Sequence, residues 1–161
     1  RYAARVAASG LLVALVFGMG PLGRRPASPD LLALVLVFWN VHQPLRVGVG
    51  AAFVFGVLID VHAGALLGQH ALAYTLMSFF AIAMHRRLLW FSVPSQALQV
   101  LPVFVAAHGI SLLVGMISGG MFPGWELALA PVFEALLWPI VSAALLAPQR
   151  RPPDPDKNRP L

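Results

Sequence analysis

The chain has 161 residues, of which 59% are hydrophobic and only 11% are charged, and its formal net charge is +5. Because a water-facing surface needs roughly a quarter of the residues to be charged, this composition excludes a soluble domain and leaves no room for a sizeable domain outside a membrane. The sequence contains no cysteine, which also excludes disulfides, thiolate metal sites and cysteine nucleophiles.

Six apolar stretches are predicted to cross the membrane as helices. They cover residues about 6–22, 31–43, 47–61, 65–84, 94–118 and 127–146. Residues 47–59 would extend only about 20 Å as a helix, so the third and fourth helices are expected to form a tight hairpin joined near residues 60–64. The sequence therefore predicts an all-α integral membrane protein, a compact six-helix bundle in a single domain over residues 1–147, with a disordered cytoplasmic tail at residues 148–161.

Two alternatives to six retained spans arise from the first and third stretches. The first stretch could be a signal peptide, but the sequence that follows it lacks a small-residue cleavage pattern. The third could be a re-entrant segment in a five-span protein, but Arg86 and Arg87 would then face the side opposite Arg46. That arrangement would no longer place most lysines and arginines on one side of the membrane, so six spans are preferred.

The basic residues predict the orientation. With the N-terminus in the cytoplasm, nine of the eleven lysines and arginines face the cytoplasm: Arg1, Arg5, Arg46, Arg86, Arg87, Arg150, Arg151, Lys157 and Arg159. Only Arg24 and Arg25 then face outward. The positive-inside rule thus places both termini in the cytoplasm and explains the positive charge without nucleic-acid binding.

One acid stands where hydrocarbon is expected. Asp60 ends a run of thirteen uncharged residues that follows Arg46, and an ionisable group at membrane depth indicates a functional site. In a helix the two residues would lie about 21 Å apart and could not pair. The candidate partners are His62, Gln69, His70 and the amides at the start of the next helix. Asp60 either caps the turn at the membrane interface or makes a functional polar contact facing the bundle.

The last two spans carry further polar candidates. Glu134 lies one turn before Trp138, so both face the same side of the sixth helix, and an interior-facing site is one interpretation. A protonated glutamate hydrogen-bonded to neighbouring backbone is the other. His108, a lone histidine in the fifth span, is more typical of an interhelical hydrogen bond than of a ligand. No spacing typical of a metal site, a catalytic centre or a phosphate-binding loop occurs, so neither cofactor nor enzymatic activity is predicted.

Several motifs carry a family resemblance. They are Pro26-x-x-Pro29-Asp30-Leu31-Leu32, Leu34 to Trp39, Pro44-x-Arg46-x-Gly48-x-Gly50-x-x-Phe53-x-x-Gly56-x-x-x-Asp60, Gly64, Leu67-Gly68 and Ala135-Leu136-Leu137-Trp138-Pro139. This pattern resembles the rod shape-determining protein MreD family between residues 26 and 139. At Glu134 the chain departs from some relatives, which carry an uncharged polar residue.

The resemblance implies a non-catalytic component of the bacterial inner membrane that belongs to the cell-elongation machinery and supports peptidoglycan synthesis and rod shape. Its implied partners are the membrane helix and periplasmic region of MreC, and more widely MreB, RodA and a class B penicillin-binding protein, together with membrane lipid. The fold is expected to be similar to the substrate-binding subunit of energy-coupling-factor transporters.

A partner would have to contact helix surfaces, short loops or a central pocket. The candidate partner or packing residues are Trp39, Pro44, Phe53, Gly56, Gly64, Gly68, Phe122, Trp125 and Trp138. Residues 118–125, which carry aromatic side chains but no lysine or arginine, are a candidate contact for a periplasmic partner, although an aromatic belt at the membrane interface explains them equally well. The alternative function is a solute-binding transporter subunit, which predicts an outer pocket lined by Asp60, His62, His108 and Glu134.

Overall fold

A computed structural model describes residues 2–21 and 28–150. Arg1, Arg24, Arg25, Pro26 and residues 151–161 of the predicted tail lie outside this part of the chain. Within the described residues there are six α-helices and no strand, which confirms the all-helical class. The helices are α1 (Tyr2–Met19), α2 (Leu31–His42), α3 (Val49–Ala63), α4 (Gln69–Leu89), α5 (Val93–Ile117) and α6 (Leu129–Leu146). Short 3₁₀ turns precede α6 at Trp125–Ala128 and follow it at Ala147–Gln149.

Helix α2 lies at the centre of the bundle. Every residue from Leu32 to Val41 is buried, and the helix packs against α1, α4 and α6. A helix that is apolar around its whole circumference can be buried on all sides. Helix α4 forms the second packing centre, since it contacts α2, α3 and α5.

Helix α3 ends and helix α4 begins at two glycines with left-handed backbone. Gly64 has φ of 64° and Gly68 has φ of 106°, a region that residues with a side chain rarely adopt. The backbone amides of Gly64 and Ala65 close the last turn of α3 by donating to Val61 and Asp60. Because this turn occupies residues 64–68, α4 begins at Gln69 and ends at Leu89, later at both ends than the apolar run suggested.

Three helical stretches of the described chain are long and apolar enough to cross a membrane, namely Tyr2–Met19, Val93–Ile117 and Trp125–Gln149. Helices α2 and α3 are apolar but shorter, with 12 and 15 residues. The outward faces are apolar as well. Val13, Leu98, Leu136 and Ile140 each expose 65% or more of their surface. Such faces suit contact with lipid or with another membrane helix.

Candidate functional site

Asp60 caps the helix that follows it. Its side chain is fully buried, and its Oδ2 accepts the backbone N–H groups of Gly68 at 2.9 Å and Ala71 at 3.3 Å. Its Oδ1 accepts the N–H of His70 at 2.8 Å and lies 2.8 Å from the Nδ1 of the same histidine. A helix N-terminus leaves amides without intrahelical partners and favours negative charge. The Asp60 carboxylate accepts these amides and supplies the negative charge at the start of α4. Asp60, Gly68, His70 and Ala71 form the Asp60 cluster.

Gly56 lets α3 approach closely enough for this contact. It lies one turn before Asp60 on the same side of α3, and a Cβ atom there would lie 2.4 Å from the Cα of Ala71 and 2.6 Å from its N. No side chain fits against backbone at such distances. The pair Gly56 and Asp60 therefore docks α3 on the first turn of α4.

The other residues considered as partners of Asp60 lie elsewhere. Arg46 is exposed at the opposite end of α3. The Nε2 of His62 lies 2.9 Å from the carbonyl oxygen of Met19, so this histidine connects α3 to α1. The side chain of Gln69 donates to the Ser111 hydroxyl at 3.4 Å. Of the candidates, His70 and the α4 amides hold the carboxylate.

A second group of polar side chains joins four helices. The backbone N–H of Asp30 donates to Oε1 of Glu134 at 2.8 Å, and the Nε2 of His108 lies 2.7 Å from the same oxygen. The carboxylate of Asp30 accepts the Ala33 amide at 3.1 Å, which caps α2, and it accepts the Tyr74 hydroxyl. Asp30, Tyr74, His108 and Glu134 form the Asp30 cluster, which links α2, α4, α5 and α6.

Glu134 and Trp138 both face the interior, as their spacing indicates. Both are fully buried, but they have different partners. The Trp138 Nε1 donates to the Oε1 of Gln96 at 3.2 Å, and its ring lies 6.2 Å from that of Phe38. Trp39 is fully buried too. The two tryptophans therefore pack helices together and present no surface to a partner.

The remaining candidate contacts divide into exposed aromatic side chains and backbone positions. Phe53 is 53% exposed, Phe122 44% and Trp125 87%. The rings of Phe122 and Trp125 pack edge to face with centroids 5.5 Å apart. Pro44 is half-buried in the turn before α3, and Gly64 and Gly68 shape the turn before α4. Among these candidates, Phe53, Phe122 and Trp125 offer apolar side chains to a partner.

The two clusters border a cavity of about 830 Å³. Its wall includes Asp30, His70, Tyr74, His108 and Ser111. Of the four side chains that the transporter alternative places in an outer pocket, only His108 lines this cavity. Asp60 and Glu134 lie behind the histidines that they contact, and His62 lies outside the wall.

The Asp60 cluster, the Asp30 cluster and the cavity lie at one end of the bundle. The start of α2, the end of α3 and the starts of α4 and α6 meet there with the last third of α5; we call it the polar end. The arginines of the described residues lie at the other end of the bundle, near the start of α1, the turn before α3, the end of α4 and the residues after α6; we call it the arginine end. They are Arg5, Arg46, Arg86, Arg87 and Arg150.

The sequence analysis did not single out Asp30 and Tyr74 as site residues. Asp30 carries a detectable signal, because an aspartate directly before an apolar run is typical of a helix N-cap. Tyr74 follows His70 by one helical turn, which places both on one side of α4. Their mutual contact spans 44 residues of sequence, and local spacing cannot indicate it.

The described residues hold no group of three or more histidine, aspartate or glutamate side chains placed to share a metal ion. The contacts of the two clusters are those of helix caps and interhelical hydrogen bonds. Chemically, the arrangement holds helix ends in place and lines a polar cavity.

Comparison with known proteins identifies a family. The family model described as rod shape-determining protein MreD matches residues 6–146. A protein of Haemophilus influenzae (strain ATCC 51907 / DSM 11121 / KW20 / Rd) named "Rod shape-determining protein MreD" is 33% identical over 129 residues, which cover 75% of this chain and 75% of the relative. No solved structure matches, so the expected similarity to energy-coupling-factor subunits stays a prediction.

Proposed function

The chain belongs to the rod shape-determining protein MreD family, and from this premise we propose that it is a non-catalytic inner-membrane component of the bacterial cell-elongation complex. In this role it binds MreC and supports peptidoglycan synthesis and rod shape. The observation that carries the proposal is the family match, which extends from α1 to the end of α6.

The surface of the bundle supports a role in partner binding. Its exposed side chains are mostly apolar along the helices, and in lipid such faces associate through close packing and a few interhelical hydrogen bonds. The MreC membrane helix would pack against one of these faces. Phe53, half exposed on α3, is a candidate anchor for that contact.

The loop between α5 and α6 is the proposed contact for the periplasmic region of MreC. Phe122 and Trp125 pack on each other and are 44% and 87% exposed, and aromatic side chains are enriched at the energetic centres of interfaces. The loop lies at the polar end, where Pro123 and Met121 border the cavity. MreB, RodA and a class B penicillin-binding protein complete the proposed assembly, with membrane lipid around it and no nucleic acid.

The charge distribution supports a six-span topology with both termini in the cytoplasm. The arginine end collects the basic side chains of the described residues, and the positive-inside rule assigns such an end to the cytoplasm. The polar end, with both clusters and the aromatic loop, then faces the periplasm. Helices α2 and α3 are short for a span, but α2 is covered by other helices and so need not reach both membrane surfaces by itself.

One observation favours the alternative of a solute-binding transporter subunit, namely the cavity at the polar end. Function depends on the site and not on the fold, and a cavity is compatible with a protein whose main role is assembly. The family match supports the elongation complex as the first proposal.

Replacement of the resident gene tests the proposal. A rod-shaped bacterium depleted of its own MreD and supplied with this chain is expected to keep its rod shape and membrane localisation. An empty vector is the negative control and the resident gene the positive one. Cells that become round although the chain is present in the inner membrane would contradict the proposal.

A further inference from the structure

We propose that the cavity at the polar end binds a small organic cation, a protonated alkylamine, with Asp30 as the charged group that recognises it. This inference goes beyond the proposed function. Its test involves no MreC, so either proposal can fail without the other.

The cavity has the size and composition of a ligand site. Its volume of about 830 Å³ falls within the range of roughly 300–1,000 Å³ typical of small-molecule pockets. One part of the wall is apolar, with Leu112, Met116 and Leu127 among its residues. Polar side chains form the rest of the wall, so a ligand with an aliphatic stem and one polar head would match both kinds of surface.

The charge of the wall selects the kind of head group. A histidine and a carboxylate that share one proton are neutral together, and without that proton they carry one negative charge. His70 with Asp60 and His108 with Glu134 are two such pairs. Neither pair includes Asp30, whose two side-chain oxygens each accept a hydrogen bond from a neutral donor, the Ala33 amide and the Tyr74 hydroxyl.

No lysine or arginine belongs to the described wall of the cavity. The Oε2 of Glu134 makes no hydrogen bond within the described chain, so the described chain brings no further donor to this carboxyl group. Phosphates and carboxylates would therefore be repelled, whereas a cation would be attracted.

The oxygen atoms at the wall suit an ammonium group, which has three donors and no acceptor. Besides the Asp30 carboxylate, the hydroxyl oxygens of Tyr74 and Ser111 can accept, since the Tyr74 proton already points to Asp30. The side chain of Gln69 donates to Ser111, which leaves its carbonyl oxygen as a further acceptor. An alkylammonium ion would thus find acceptors for its N–H groups and an apolar surface for its stem.

Cysteine labelling tests the charge preference, because these 161 residues contain no cysteine. Purified Ser111→Cys protein that contains all 161 residues, in lipid nanodiscs, is treated with trimethylammonium-ethyl methanethiosulfonate or with the anionic sulfonatoethyl reagent. The measured quantity is the rate of labelling by the cationic reagent divided by the rate by the anionic one, and the free thiol 2-mercaptoethanol gives the reference ratio. The ratio at Ser111→Cys is expected to be about ten times the reference, as one nearby negative charge in a partly screened site would produce. An equal or lower ratio, or no labelling by either reagent, would overturn the proposal.

The matched variant Asp30→Asn removes the charge but keeps an oxygen that can cap α2. In the Ser111→Cys background it is expected to bring the ratio to within about twofold of the free-thiol value. Ser92→Cys, exposed between α4 and α5 at the arginine end, controls for reagent quality and should not respond to Asp30→Asn. A preference that persists unchanged without Asp30 would assign recognition to another group and refute the proposal.

Ligand protection gives a second measurement that needs no change at Asp30. Butylammonium is expected to slow the reaction of Ser111→Cys with neutral N-ethylmaleimide, whereas butyrate and butanol at the same concentration and pH are not. Arg24 and Arg25 lie outside the described residues but close to Ser28 in sequence, so both measurements are repeated with Arg24→Gln, Arg25→Gln. Protection by butyrate, or loss of the cation preference in this background, would contradict an acidic site centred on Asp30.

Discussion

Gly56 and Ala71 bring two helices into direct backbone contact. A Cβ atom at Gly56 would lie 2.4 Å from the Cα of Ala71, a separation that two carbon atoms cannot adopt without displacement of α3 from α4. The same first turn of α4 is held by Asp60, one turn further along α3. The close approach at Gly56 and the carboxylate of Asp60 thus both hold α3 against the first turn of α4. Substitutions at the two residues can measure their separate contributions to stability.

Gly56→Ala is expected to lower the free energy of unfolding by about 1–3 kcal/mol, toward the upper value because backbone atoms cannot move aside as a flexible side chain would. Reversible unfolding in mixed micelles with increasing dodecyl sulfate measures the change. Gly50→Ala is the matched control on the same helix. Nothing lies within 4 Å of its added Cβ, so it should be neutral or stabilising by less than about 1 kcal/mol. Equal effects of the two variants would refute the close contact.

Asp60→Ala is expected to cost about 2–3 kcal/mol in the same assay, because it leaves the buried amides at the start of α4 without an acceptor. Asp60→Asn should cost about half as much, since one oxygen remains to accept. Glu126→Ala, at an exposed acid, should change stability by less than about 0.5 kcal/mol. If Asp60→Ala were as mild as the control, Asp60 would not act as the cap of α4.

Glu134 and His108 should be energetically coupled. The double-mutant cycle of Glu134→Ala and His108→Ala is expected to give an interaction energy of about 1–2 kcal/mol, because the two side chains contact each other directly. His108→Ala combined with Arg46→Ala is the control pair. Arg46 is exposed and distant in the bundle, so those effects should add within about 0.5 kcal/mol. Additivity of the Glu134 and His108 effects would exclude a stabilising contact.

The topology predicts opposite labelling of two exposed serines in the cysteine-free chain. Ser118→Cys, which borders the cavity at the polar end, should react with a membrane-impermeant maleimide in intact spheroplasts, because the proposed topology places that end in the periplasm. Ser92→Cys, near Arg86 and Arg87, should react only after permeabilisation. The reverse pattern, or labelling of both in intact spheroplasts, would rule out the proposed orientation.

Hydrophobicity was sufficient to predict the helices but not where each begins and ends. Apolar runs mark all six because backbone groups in lipid must be satisfied within the segment. The start of α4 was predicted too early because residues 64–68 are also uncharged. Only the backbone conformation of Gly64 and Gly68 distinguishes the turn from the helix. Its C-terminal end passes the charged Arg86 and Arg87, since long basic side chains can leave the apolar layer at a helix end.

The candidate site was predictable where its contacts are local. Asp60 contacts residues eight to eleven positions further along the chain. The α4 amides were therefore among the partners that the sequence suggested for it. The Asp30 cluster joins Asp30 to Glu134 across 104 residues, and no spacing rule indicates such a pair. The exposure of individual aromatic side chains could not be predicted either. Trp39 and Phe53 lie in similar apolar runs, yet Trp39 is fully buried and Phe53 is half exposed.

The aromatic loop at the polar end should contribute to partner binding. Phe122→Ala combined with Trp125→Ala removes the exposed ring pair and should reduce recovery of MreC several-fold, since aromatic anchors often contribute 2 kcal/mol or more. Phe53→Ala, on the exposed side of α3, tests the membrane-helix contact in parallel. Unchanged recovery of MreC with the double variant would remove the loop from the interface.

The most direct test of the central claim is co-purification from native membranes. The tagged wild-type chain, expressed in place of the resident MreD and extracted in mild detergent, is predicted to retain MreC through washing, while an unrelated six-span membrane protein with the same tag does not. Absence of MreC from the purified wild-type chain, with the chain itself folded and in the inner membrane, would contradict its assignment as a partner-binding component of the elongation complex.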